Sequence, residues 1–218
     1  MLTNYGLIKS TYNLLNEHIK LGINIHPAGE WILDNFYIVE ESVRQIEKEI
    51  TLKKYTNFVG IQNGKYTGFA RIYVLANEIV AYTDNRITGE NLEKYLQAYQ
   101  TKKTLNMEEI WNIGVFLQIA IIQNIADICE KIYSSQIQKY KVKSIIERLV
   151  EKKDKSELKY NQFSGMRLKG NEVRNMKYPF IEYMSYSLKK YGKKAYGYLN
   201  ILEEEVEKLG ITVSDAIQ

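Results

Sequence analysis

The chain has 218 residues and a mass of 25.5 kDa, enough for one large domain or two small ones. Hydrophobic residues make up 45% and charged residues 26%, a globular balance that excludes wholesale disorder. Two prolines and 13 glycines give too few turn signals for an all-β sandwich, and one cysteine and two histidines exclude an intramolecular disulfide and a typical zinc site.

The net charge of +4 is unevenly spread: residues 1–130 balance at −3, residues 131–195 at +11 and residues 196–218 at −4. The basic residues of the middle block are dispersed through an amphipathic pattern, so a solvated face is the first reading of that block. No basic stretch followed by an apolar run opens the sequence, and no secretory signal is expected. With the single thiol, Cys129, this points to a reducing, cytosolic setting.

Apolar periodicity predicts helices throughout. After Pro27, which suits a first helical turn, Ile32, Phe36, Val39, Val43, Ile46 and Ile50 recur at steps of three and four. Loops are expected over Asn57–Lys65, with Gly60 and Gly64 as turn signals, and over Thr83–Gly89. Between them, Phe69, Ile72, Tyr73, Ala76, Ile79 and Val80 form one stripe; Leu92, Tyr95, Leu96 and Tyr99 form the next. Asn106 and Glu109 read as a capping pair before a long run, Ile110–Ile132. Its uncharged part, Ile110–Ala126, approaches the length of a membrane span but carries Asn112, Gln118, Gln123 and Asn124, which favours a core helix. Val142, Ile145, Ile146, Leu149 and Val150 extend that helix or begin another. Pro179 opens a helix with Ile181, Met184 and Leu188 inward, and a last one carries Ala195, Tyr198, Leu199, Leu202, Val206 and Leu209 before Gly210.

The expected fold is therefore all-α: a bundle-like helical domain over residues 1–151, a polar loop or linker over 152–171, and a C-terminal helical pair over 172–218 packed on the main domain. Neither G-x-x-x-x-G-K-[ST] nor G-x-G-x-x-G occurs, and no G-x-S-x-G nucleophile elbow. Cys129 lies within an apolar pattern and reads as a buried, inert thiol. His26, Glu30 and Asp34 follow at i, i+4 and i+8, around the helix edge opposite the apolar stripe, where dipole-compatible acids on a solvated face are the simpler account. Asp84 and Arg86 belong to a polar cluster, Tyr82–Arg86, that reads first as a helix-ending turn. Tyrosines interleaved with lysines, among them Tyr178, Tyr183, Tyr186 and Tyr191, suit stacking on sugar rings or single-stranded nucleic acid, and equally helix packing.

The stretch His26-Pro-Ala-Gly-Glu-Trp-Ile-Leu-Asp-Asn-Phe-Tyr-Ile-Val-Glu-Glu resembles the N-terminal region of the cyclic β-1,2-glucan synthase family, very large bacterial glycosyltransferases. Residues 71–86, 92–100, 105–117 and, more weakly, 201–217 continue the resemblance in the same order. The resemblance implies a parent enzyme that makes β-1,2-glucan from UDP-glucose at the cytoplasmic side of the inner membrane, with any divalent cation bound elsewhere. No catalytic residue and no metal ligand is carried over, since no aspartate set of a nucleotide-sugar transferase and no Q-x-x-R-W motif is present.

The first expectation is a non-catalytic helical segment, without a cofactor of its own, that meets other domains of the same polypeptide, a glucan chain or an anionic membrane surface. His26, Glu30, Trp31, Asp34, Asp84 and Arg86 are its candidate ligand or interdomain face. The alternative is a stand-alone basic helical binding module that uses the +11 block, with nucleic acid as its first candidate ligand and an anionic surface as the other, and with salt-sensitive affinity; nucleic acid is not an expected partner of the leading reading. Catalysis by Glu30 and Asp34 ranks last, because one turn of a single helix leaves no cleft for a sugar between them.

Overall fold

The computed structural model describes residues 2–151, 179–190 and 196–207, and these form eight helices and no strand. In chain order they are α1 (Leu2–Lys20), α2 (Pro27–Glu49), α3 (Leu52–Tyr55), α4 (Arg71–Tyr82), α5 (Gly89–Gln100), α6 (Met107–Glu151), α7 (Pro179–Lys190) and α8 (Tyr196–Glu207). The architecture is all-α. The expected linker 152–171, together with Tyr178, Tyr191, Ala195, Leu209 and Gly210, lies outside the described residues.

The described residues form two compact units, each assembled from two sequence segments: residues 2–13 with 27–130, and residues 14–26 with those from 131 onward. In the first unit the core gathers Ile72, Leu75, Ala76, Ile79 and Val80 of α4 with Ile113, Phe116, Leu117 and Ala120 of α6. Phe58 meets Phe116 edge-on at 5.0 Å between ring centroids, and the inner sides of α5 (Leu92, Tyr95, Leu96, Tyr99) close the cluster. Helix α2 buries Ile32, Val39, Val43 and Ile46, while Phe36, half-buried, stacks on Tyr12 of α1 at 4.2 Å. On the same helix Tyr5 donates to Glu40 at 2.9 Å.

Two local results depart from the periodicity. Phe69 is not part of the α4 stripe: it precedes the helix, is 45% exposed, and its carbonyl accepts from the Ile61 N–H at 2.9 Å beside the antiparallel Gly60–Ala70 bridge. Backbone pairing, not helical register, fixes its direction. Residues 2–20 form a 19-residue helix that apolar spacing alone does not announce. Its inward positions are Ile8, Thr11, Leu15 and His18, and half of them are polar. The Thr11 hydroxyl donates to the Leu7 carbonyl at 2.9 Å, so its burial leaves no unpaired donor.

In the second unit, α1 ends in a Schellman motif. Gly22 takes φ +64°, its N–H donates to the Ile19 carbonyl at 2.9 Å, and the Ile23 N–H donates to the His18 carbonyl at 2.9 Å. Buried His18 pairs through Nδ1 with Gln136 Oε1 at 3.0 Å and stacks against Tyr140. The expected inward residues of α7 and α8 pack with Val142 and Ile146: Ile181, Met184, Leu188, Leu199, Leu202 and Val206 are all buried.

Helix α6 is a single 45-residue helix, so Val142 and Ile146 continue the run that begins at Ile110. Among the described residues it is the one helix long and apolar enough to cross a membrane. Within the first unit Phe116 and Ala120 of this helix are fully buried, while Trp111 and Ile128 are exposed. Cys129 is buried on the same helix, and burial pushes its thiol up to about 11, despite the hydrogen-bonded Thr11 hydroxyl.

Candidate functional site

The first unit contains one buried ion pair among the described residues. Arg71 opens α4 and Glu109 is the third residue of α6; their side chains are 9% and 0% exposed. The contact is bidentate, with Nε donating to Oε1 at 2.6 Å and Nη2 donating to Oε2 at 2.5 Å. Nη2 also donates to the Thr104 carbonyl at 2.9 Å.

Glu109 serves a second purpose, as the capping expectation anticipates. Its N–H donates to Asn106 Oδ1 at 2.8 Å, and its Oε2 accepts the Asn106 N–H at 2.9 Å, a reciprocal cap on the first turn of α6. Burial pushes the Glu109 carboxyl up, but the hydrogen bonds from Arg71 and Asn106 and the charges of Arg71 and Lys103 outweigh it and hold it below its ordinary value. The hydrogen bond to Glu109 raises the Arg71 guanidinium in turn, against the effect of burial.

Beside this pair lies an open cleft of about 450 Å³. Its lining is the loop Gly60–Asn63 with Tyr66, the α4 residues Arg71, Val74, Leu75 and Glu78, and Tyr99 and Lys103 from the end of α5 and the turn after it. The volume falls within the ~300–1,000 Å³ of small-molecule sites. The loop is tied by backbone bonds, with the Gly68 N–H donating to Ile61 O and the Arg71 N–H to Val59 O, at 2.9 and 2.8 Å. Gly64 at φ +91° and Gly68 at φ +87° make the turns that allow this. Glu78 also accepts, weakly at 3.5 Å, from Tyr95. Burial, followed by that carboxylate, raises the Tyr95 phenol.

The residues singled out from sequence lie elsewhere. His26 is exposed in the turn before α2. Glu30, Trp31 and Asp34 follow on α2, all exposed, with Trp31 at 51% and its carbonyl accepting from Asn35 at 2.9 Å. Asp84 and Arg86 are exposed in the turn after α4. There Asp84 and Asn85 both adopt left-handed backbone, φ +49° and +62°. The Asn85 N–H donates to the Val80 carbonyl at 3.0 Å and the Asp84 N–H to Ala81 at 3.3 Å, again the Schellman pattern. Asn85 Oδ1 accepts from Asn124 at 2.9 Å, and the Arg86 carbonyl accepts from Asn91 at 2.7 Å. None of these six lines the cleft.

Arg71, Glu78, Tyr99 and Lys103 were not singled out from sequence as site residues. A charged residue at the head of an otherwise apolar helix, Arg71-Ile-Tyr-Val-Leu-Ala, is the one local sign that Arg71 has a buried partner. A second cleft, about 380 Å³, lies in the other unit and is lined by Gly22, Asn24, Lys143, Ile146, Tyr183, Tyr186, Ser187 and Lys190. Beside it, Lys139 donates to the Asn24 carbonyl at 3.2 Å and stands 5.8 Å from the Tyr183 ring centroid. Burial lowers this ammonium group, with Glu182 acting in the opposite direction.

No protein-family model matches the chain. A curated relative, the cyclic β-(1,2)-glucan synthase NdvB of Rhizobium meliloti (strain 1021), is 24% identical over 212 residues. The match covers 96% of this chain and 7% of the relative, so the chain spans a small part of the protein it resembles. The chain is distantly related to the cyclic β-1,2-glucan synthase family.

Proposed function

We propose that this chain is a non-catalytic helical segment of a cyclic β-1,2-glucan synthase-like glycosyltransferase, acting as a scaffold and a guide for the glucan rather than at the transfer step. The carrying observation is the alignment that runs along nearly the whole chain yet occupies a small fraction of the relative. On this reading UDP-glucose, and any divalent cation used with it, binds elsewhere in the parent polypeptide. The partners are its other domains, at the cytoplasmic side of the inner membrane.

The side chains support a structural role. The buried carboxylate of Glu109 is consumed by Arg71 and by capping α6, and Glu78 is the single carboxylate among the residues that line the cleft. Glu30 and Asp34 stand exposed one turn apart on one helix, which gives an acid and a base no opposite faces of a sugar to work from. The test is incubation of the purified chain with radiolabelled UDP-glucose, alongside a full-length synthase lacking the corresponding segment. The chain should be folded and should transfer no glucose, and the truncated synthase should lose glucan output. Turnover by the isolated chain overturns the reading.

A second reading, a basic module for an anionic surface, draws on the cleft that carries Lys143 and Lys190. It requires binding to anionic vesicles that weakens steeply with added salt.

A further inference from the structure

We infer that the cleft between the Gly60–Gly68 loop, α4 and the end of α5 is a binding site for a short neutral oligosaccharide. The inference deepens the glucan-guiding role above and rests on it only for the choice of a β-1,2-linked glucan as the sugar.

Charge is the first argument. Arg71 is neutralised by Glu109 in a closed bidentate pair, and the remaining ionised lining groups, Lys103 and Glu78, are of opposite sign. A cleft so balanced offers no field for a phosphate, a nucleotide or a metal cation. Its ligand is held by hydrogen bonds and apolar contact.

The second argument is the kind of hydrogen-bonding group present. Gln62 and Asn63 each offer an amide with donors and an acceptor, and Tyr66 and Tyr99 each offer a hydroxyl that does both. Vicinal sugar hydroxyls also donate and accept, and paired amide and phenol groups can satisfy both senses at once. Between the polar groups the phenol ring of Tyr66, 42% exposed, with the partly buried ring of Tyr99, provides apolar surface for the C–H faces of a pyranose.

Preorganisation is the third. The loop bearing Gln62, Asn63 and Tyr66 is fixed by the Ile61–Phe69 and Gly68–Ile61 backbone bonds and by the Thr67 hydroxyl donating to Gly64 O at 2.7 Å. Little ordering is left to oppose binding of a weak, neutral ligand.

The test is titration of the isotopically labelled full chain with linear β-1,2-linked gluco-oligosaccharides, followed by amide shifts. Saturable shifts are expected at Gln62, Asn63, Tyr66 and Tyr99, unchanged between low and high salt. Tyr66→Ala, at an exposed position, should weaken binding about tenfold, the scale of one lost aromatic contact. Tyr99→Phe removes only the hydroxyl and should weaken binding while the far-ultraviolet spectrum stays unchanged. Glu41→Gln, at an exposed position of α2 outside the cleft lining, should bind as the parent does. Absence of saturable shifts at the cleft with β-1,2-, β-1,3- and α-1,4-linked probes overturns the inference, as does preferential binding of inorganic pyrophosphate there. Binding of another linkage at the same residues upholds the cleft and counts against the glucan-synthase role, so the two failures are separable.

Discussion

Replacing Glu109 by leucine removes the acceptor of three hydrogen bonds: two from the Arg71 guanidinium and one from the Asn106 N–H. Leucine fills the space but leaves Arg71 buried with the Thr104 carbonyl as its remaining partner. An uncompensated buried charge of this kind costs about 3–5 kcal/mol. Glu109→Gln keeps the shape and one acceptor, but it also leaves the Arg71 charge without a counter-ion and turns an amide N–H toward a donor, so it should cost at least about 2 kcal/mol. The double variant Arg71→Met/Glu109→Leu has no charge to strand and should return to within about 1 kcal/mol of the parent. Urea unfolding followed by tryptophan fluorescence reads this locally, because both tryptophans, Trp31 and Trp111, belong to the first unit. A cost below about 1 kcal/mol for Glu109→Leu, or a double variant as unstable as the sum of the singles, would refute the account of the pair.

Four further outcomes are expected. The Glu109 carboxyl is held below its ordinary value when folded, so its contribution is complete above about pH 4.5 and is lost as pH falls through the folded value; the urea midpoint of the parent should drop more between pH 7 and pH 4 than that of Glu109→Gln. The Cys129 thiol is raised to about 11, so the unfolded chain loses its proton first as pH rises past about 8.5; stability should fall between there and pH 11, less so in Cys129→Ala, and a thiol reagent at pH 8 should label only the unfolded protein. Thr88→Ala removes the reciprocal cap of α5, in which Thr88 Oγ1 accepts from Asn91 N–H and Asn91 Oδ1 from Thr88 N–H, and should cost about 1 kcal/mol in thermal unfolding. Gly64→Ala meets open space but must hold φ +91°, so about 1–2 kcal/mol of backbone strain should appear with no packing clash.

The helices most legible in sequence are those whose buried side is uniformly apolar. Ile32, Val39, Val43 and Ile46 of α2, and Ile181, Met184 and Leu188 of α7, are buried where the three-and-four spacing places them. Helix α1 escapes the same reading because Thr11 and His18 occupy inward positions, satisfied by the helix's own carbonyl and by Gln136. The Asn106–Glu109 cap is local and readable; the partner of Glu109 is 38 residues away, and no short-range signal ties it to Arg71. The cleft is less legible still. Its lining residues are drawn from a loop, α4 and the far end of α5, and only the tertiary arrangement joins them. Each unit likewise combines an early and a late segment, a division that composition along the chain does not mark.

Helix α4 begins without a side chain of its own to cap it: Ala70 occupies that position. The Ala70 N–H donates instead to the Tyr55 hydroxyl at 3.2 Å, and the Arg71 N–H to the Val59 carbonyl at 2.8 Å. Both acceptors come from preceding chain that must already be in place, so this helix cannot nucleate by itself. The amides of Ala70, Arg71 and the 59–69 loop should therefore exchange with solvent deuterium together, in one opening event, ahead of the interior of α4. Tyr55→Phe deletes one of the two acceptors and should quicken that shared exchange while leaving α5 untouched.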